Sequence, residues 1–134
     1  MEPLPYVLDT TALHAYCHGS LRLGHILTEA AESAVHVYLP VLCLTETHRD
    51  LAYAETTPLR VLTATVPGIM QVALDPVDAA YVGSAARHLE EKSGRRPRLG
   101  LVQAAHLAMR HAAVLVTDSE VTELLPYGWP TEQP

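Results

Sequence analysis

The apolar positions of this chain follow two rhythms. Short unbroken runs, Tyr6-Val7-Leu8 and Val114-Leu115-Val116, carry no polar residue on either face, as strands covered on both sides do. Between them lie longer stretches in which apolar and polar positions recur at helical spacing. Thr11 to Cys17 and Leu21 to Ala34 predict two helices separated by the Gly19-Ser20 breaker. Val35 to Val41 predicts a second strand, cut short by Pro40 because proline cannot donate to a ladder. From Leu42 to Ala54, apolar Leu42, Leu44, Leu51 and Ala52 oppose Glu46, Arg49 and Asp50, which predicts a helix.

Thr56-Thr57-Pro58 has the form of a helix start, with proline in the first turn. Ile69 to Leu74 predicts a third strand. Asp75-Pro76 reads as an N-cap followed by N1 proline, opening a helix that runs to about Lys92. Ser93 to Arg98 is a loop, Leu99 to Ala112 an alanine-rich helix, and Val114 to Val116 the fourth strand. A short helix from about Ser119 to Leu125 and a proline-rich tail complete the expected order. Alternation of this kind predicts a three-layer α/β/α fold around a mostly parallel central sheet. With 134 residues and no repeats or long linkers, the expectation is a single domain over 1–134.

Composition narrows the function classes. No run approaches the roughly 18 apolar residues of a membrane span, so no membrane partner is expected. The start Met-Glu-Pro-Leu-Pro lacks the basic opening of a secretory signal, and the expected location is cytoplasmic. Cys17 and Cys43 form neither a disulfide framework nor a metal-knuckle spacing, and read as small buried apolar groups. A net charge of −6 means the surface as a whole does not draw nucleic acid. Basic charge is nevertheless concentrated: Arg87, His88, Lys92, Arg95, Arg96 and Arg98 crowd together, opposed only by Glu90 and Glu91. Such a cluster either complements the helix dipole as a solvated end or contacts phosphates, in which case Arg95, Arg96 and Arg98 are the nucleic-acid contacts.

The acids give the chemistry. Asp9 and Asp118 each follow an apolar strand and each has threonine beside it, Thr10 and Thr117. Carboxyl ends of parallel strands share one edge, where ligands of open α/β sheets bind. Glu46, about one turn into the helix after the second strand, is placed to point at the same edge. Taken singly, each acid is as well explained as a helix cap or a solvated helix residue. Together, Asp9, Glu46 and Asp118 have the composition of a Mg²⁺ or Mn²⁺ site that activates water. The eight histidines offer less: His14 and His18 are spaced i, i+4, but no third zinc ligand stands near them. Gln103 and His106 lie one turn apart and are candidates for lining the cleft or for packing.

Three stretches resemble a PIN domain: Tyr6-Val7-Leu8-Asp9-Thr10-Thr11-Ala12-Leu13, Leu39-Pro40-Val41-Leu42-Cys43-Leu44-Thr45-Glu46, and Ala104-Ala105-His106 through Ala113-Val114-Leu115-Val116-Thr117. The nearest type is the toxin of VapBC toxin–antitoxin pairs. The resemblance implies an endoribonuclease that uses Mg²⁺ or Mn²⁺ held by acids, an antitoxin-like protein partner, RNA as substrate and a homodimer. By position, Asp9 matches the first family acid, Thr10 or Thr11 the accompanying hydroxyl, and Glu46 the second acid. The third acid position falls on Gly100, or on Leu101 with a one-residue shift, and neither side chain ligates a metal. The fourth falls on Ser119, flanked by Asp118 and Glu120, which are the available substitutes. Two expectations follow: a ribonuclease-like protein with weak or lost cleavage, or a catalytically inactive PIN-like protein that binds or regulates.

Overall fold

The structure is a computed structural model and describes residues 2–121 and 123–134. Among the described residues, strands and pairs of helices follow one another: β1 (Tyr6–Leu8), α1 (Thr10–Cys17), α2 (Leu21–Glu32), β2 (Val37–Pro40), α3 (Val41–Asp50), α4 (Thr57–Thr65), β3 (Ile69–Val72), α5 (Pro76–Ser93), α6 (Leu99–His111), β4 (Val114–Val116) and β5 (Thr131–Glu132). The sheet order is β3-β2-β1-β4-β5 and every pairing is parallel. β1 is therefore the central strand, which is why its run is apolar on both faces: Val7 and Leu8 are fully buried, as are Leu115 and Val116 of β4. This is the three-layer α/β/α arrangement expected from the alternation.

Local chemistry sets the helix starts. Asp9, Ser20 and Asp75 each accept a hydrogen bond from a first-turn amide as N-caps of α1, α2 and α5. Pro40 closes β2 in register with Val72 and caps α3 without a side-chain bond. Gly94 ends α5 in the left-handed region, φ +73°, where glycine costs least.

Boundaries differ from the sequence expectation in a few places. The second helix stops at Glu32, because Ser33 caps it and Ala34 turns to φ 55°. The third stops at Asp50, where Leu51 becomes extended. The helix expected from about Ser119 to Leu125 spans Thr122, which lies outside the described residues; the residues beside it form turns. The tail also contributes β5, which adds to β4 through Leu115↔Thr131 and Val116↔Glu132 and is anchored by the Trp129 indole N–H donating to the Ala113 carbonyl at 2.9 Å. A two-residue strand carries no periodicity, so pattern gave no sign of it. Among the described residues, no helix is long and apolar enough to cross a membrane.

Candidate functional site at the carboxyl edge of the sheet

β1 and β4 are neighbours in register, so Asp9 and Thr117, the residues that follow them, meet at the carboxyl edge. Asp9 is 1% exposed and stands at the centre of a hydrogen-bond chain. Its Oδ1 accepts from the Thr11 hydroxyl at 2.6 Å and from the Ala12 amide at 2.9 Å; its Oδ2 accepts from the Thr117 hydroxyl at 2.5 Å. Both hydroxyls accept in turn: the Asp118 amide donates to Thr11 Oγ1 at 2.9 Å, and the Ser119 amide to Thr117 Oγ1 at 3.0 Å. The two strand ends are thereby tied through one carboxyl. Burial pushes that carboxyl above its ordinary range, and the bonds from Thr11, Thr117 and Ala12 pull against the shift.

Glu46 reaches the same edge from α3 as expected, and its Oε1 accepts from the Thr10 hydroxyl at 2.7 Å. The carboxylate rests on Gly100, at the start of α6. A Cβ on residue 100 would stand 2.1 Å from Glu46 Oε1, 3.0 Å from Glu46 Cδ and 3.0 Å from Thr10 Oγ1. Cys43, three residues before Glu46, donates its buried thiol to the Gly100 carbonyl at 3.1 Å, and burial holds that thiol far above its usual value. The Leu42 amide donates to Gln103 Oε1 at 3.0 Å. Gln103 is buried and joins α3 to α6 instead of facing a ligand.

Asp118 follows the same strand end, where its amide donates to Thr11; its side chain is exposed and makes no hydrogen bond among the described residues, and Glu120 is exposed too. Ser119 likewise takes part through its amide. A hard divalent ion needs several oxygen ligands converging with free lone pairs. Asp9 accepts two hydrogen bonds at Oδ1 and one at Oδ2, which leaves one lone pair on Oδ2, and the space at residue 100 is taken by the Glu46 carboxylate itself. Among the described residues, no three His, Cys, Asp or Glu side chains are grouped so as to hold a metal ion. The residues present do not fit the complete acid site that the family resemblance implies.

One turn along both helices lies a second pairing that sequence reasoning missed. His14, four residues after Thr10, brings Nε2 within 3.4 Å of Asp50 Oδ2, and Asp50 stands four residues after Glu46. Arg98, two residues before Gly100, reaches the same Oδ2 at 3.0 Å, and Arg49 bonds Oδ1 at 2.9 Å. Arg49, then Arg98, hold the Asp50 carboxyl below its ordinary value. The i, i+4 spacing of Thr10/His14 and Glu46/Asp50 was the available signal. His18 pairs separately with Glu55 at 3.4 Å, so the two histidines face different acids.

Part of the basic cluster is paired with acids. Arg96 pairs with Glu90 at 3.4 Å and Arg87 with Glu91 at 3.1 Å. Arg95 and Arg96 line a cavity of about 360 Å³ with Leu101, Glu120 and Glu123, beside the start of α6. His106 does not line the acid site; it bonds Asp78 of α5 at 3.0 Å under the Tyr81 ring.

No family model and no curated protein sequence matches the chain at a significant level. Solved structures do. One is a chain in the crystal structure of VapBC2 from Rickettsia felis bound to a DNA fragment from their promoter, with a TM-score of 0.69 and 15% sequence identity over 97% of this chain and 98% of that one. At that identity the likeness is one of fold alone: the chain has a three-layer α/β/α, PIN-like fold.

Proposed function

We propose that this chain acts as a VapC-like PIN-domain protein of a toxin–antitoxin kind, in which RNA is engaged but metal-dependent cleavage is weak or lost. The observation that supports this reading is the composition of the carboxyl edge: Asp9, Thr10 and Glu46 stand together there, while the third acid position is Gly100. Asp118, Ser119 and Glu120 are the remaining candidates for a metal or water contact on the β4 side, with Thr117 in support. Arg95, Arg96 and Arg98 are the proposed RNA contacts. An antitoxin-like protein is the proposed partner and a homodimer the proposed assembly.

The test is direct. Full-length chain is incubated with single-stranded RNA, with and without Mn²⁺, and both cleavage and filter retention are followed. RNA retained but cut no faster than by an Asp9→Asn variant supports the reading. Efficient cutting that Asp9→Asn abolishes would show an intact nuclease. A chain that neither retains nor cuts RNA favours the second reading, an inactive PIN-like binding protein acting on a protein partner. The seating of Glu46 on Gly100 favours that alternative. Co-purification with the product of a small adjacent reading frame is its measurement.

A further inference from the structure

We infer that the acidic edge of this chain is a structural joint, in which Glu46 seated on Gly100 ties α1 and α3 to the start of α6 and does not serve as a metal ligand. This deepens the reading above and rests on it only for the equation of Gly100 with the third acid position. The geometry carries the inference. Three helices meet here, and each contributes one member of two stacked rungs: Thr10, Glu46 and Gly100 in the first, His14, Asp50 and Arg98 in the second. In the first rung the acid accepts a hydroxyl at 2.7 Å and fills the volume that a side chain at residue 100 would need. In the second, one turn further on, Arg98 just before α6 holds the acid at 3.0 Å, and His14 Nε2 of α1 lies 3.4 Å away without a hydrogen bond to it. The Cys43 thiol and the Gln103 side-chain carbonyl fasten α3 to α6 from the buried side.

Glycine at position 100 thus leaves the space in which the Glu46 carboxylate sits and is not merely a missing acid. A Cβ there would stand 2.1 Å from Glu46 Oε1, the far end of a flexible side chain, so Glu46 would swing aside and give up the bond it accepts from Thr10. A glycine inside a helix ordinarily gains stability when replaced by alanine. At this position that gain is set against the loss of the Thr10–Glu46 bond, so the joint makes the effect of alanine depend on Glu46.

The experiment uses the full chain, Mn²⁺ alone as the probe, and four variants: Gly100→Ala, Glu46→Gln, Glu46→Ala, and Gly100→Ala combined with Glu46→Ala. Thermal unfolding and Mn²⁺ calorimetry are read on each. The joint predicts that wild type gives no binding heat at millimolar Mn²⁺ and no metal-dependent shift of Tm. Gly100→Ala lowers Tm by several degrees, or fails to fold. Glu46→Gln, which still offers a carbonyl oxygen to Thr10, stays close to wild type. In the Glu46→Ala background Gly100→Ala no longer lowers Tm, and a chain that failed to fold as the single variant folds as the double. Mn²⁺ binding that disappears in Glu46→Gln would overturn the inference, as would a Gly100→Ala chain as stable as wild type. RNA retention by wild type is a separate readout, so either conclusion can fail without the other.

Discussion

Thr117 donates its hydroxyl to Asp9 Oδ2 at 2.5 Å, joining the end of β4 to the end of β1 at a point where both residues are almost wholly buried. Because Thr117 also accepts from the Ser119 amide, its loss strands two partners at once. Removing one member of a buried hydrogen bond to a charged group costs about 2 kcal/mol. Thr117→Val keeps the shape and removes the hydroxyl, so it is expected to lower stability in urea unfolding by about that amount, whereas Thr117→Ser stays within about 1 kcal/mol of wild type. Equal stabilities for the valine and serine variants would show that the bond contributes nothing.

The layered, parallel α/β/α arrangement and the carboxyl-edge position of Asp9 were legible because they depend on plain patterns: buried runs of three apolar residues and the acid that closes the first. Glu46 was legible for the same reason, since α3 starts at Val41 just after Pro40 and its sixth residue faces back over the edge. What sequence could not show was occupancy. Gly100 appeared as a vacancy, while in three dimensions the Glu46 carboxylate already fills it. Nor could spacing show that Asp118 joins through its amide alone, or that Arg98 is committed to Asp50. Such facts depend on side-chain rotamers and on which charges meet across helices, and neither leaves a period in the sequence.

The two edge acids respond to pH with opposite signs. Burial raises the Asp9 carboxyl, so the folded chain holds that proton to higher pH than the unfolded chain does. Its contribution is then fully present below the unfolded carboxylate value of about 4 and is lost as pH rises through the raised folded value. Asp9→Asn cannot ionise, and its Tm relative to wild type should therefore climb as pH rises out of the acid range. The Asp50 carboxyl is lowered, first by Arg49 and then by Arg98. Its contribution is present above the unfolded value and is lost as pH falls through the lowered one, so Asp50→Asn should lose most relative to wild type near neutrality and least in acid. Thermal scans across the acid-to-neutral range check both, and a common slope for the two variants would contradict the assignment.

Arg95 and Arg98 should separate under charge reversal. Arg98 is bonded to Asp50 at 3.0 Å, while among the described residues no ion pair engages Arg95. If the patch contacts RNA phosphates, Arg95→Glu weakens filter retention at unchanged Tm and lessens the salt dependence by about one unit of log–log slope. Arg98→Glu places a like charge beside Asp50, so it should weaken retention and also lower Tm. Retention that is indifferent to reversal of Arg95, Arg96 and Arg98 together would remove the patch from the RNA-binding account.

Ala112 offers a change with the opposite outcome. It caps α6 in the left-handed region at φ 50° and ψ 47°, is exposed, and donates its amide to the Ala108 carbonyl. A side chain with a Cβ costs about 1–2 kcal/mol in that conformation, and glycine removes that cost while adding freedom to the unfolded chain. The net expectation for Ala112→Gly is a gain of about 0.5 kcal/mol, seen as a higher urea midpoint at an unchanged slope. Ala112→Val, which puts a branched Cβ at the same φ, is expected to lose stability instead. A glycine variant below wild type would mean that the turn from α6 into β4 does not carry this strain.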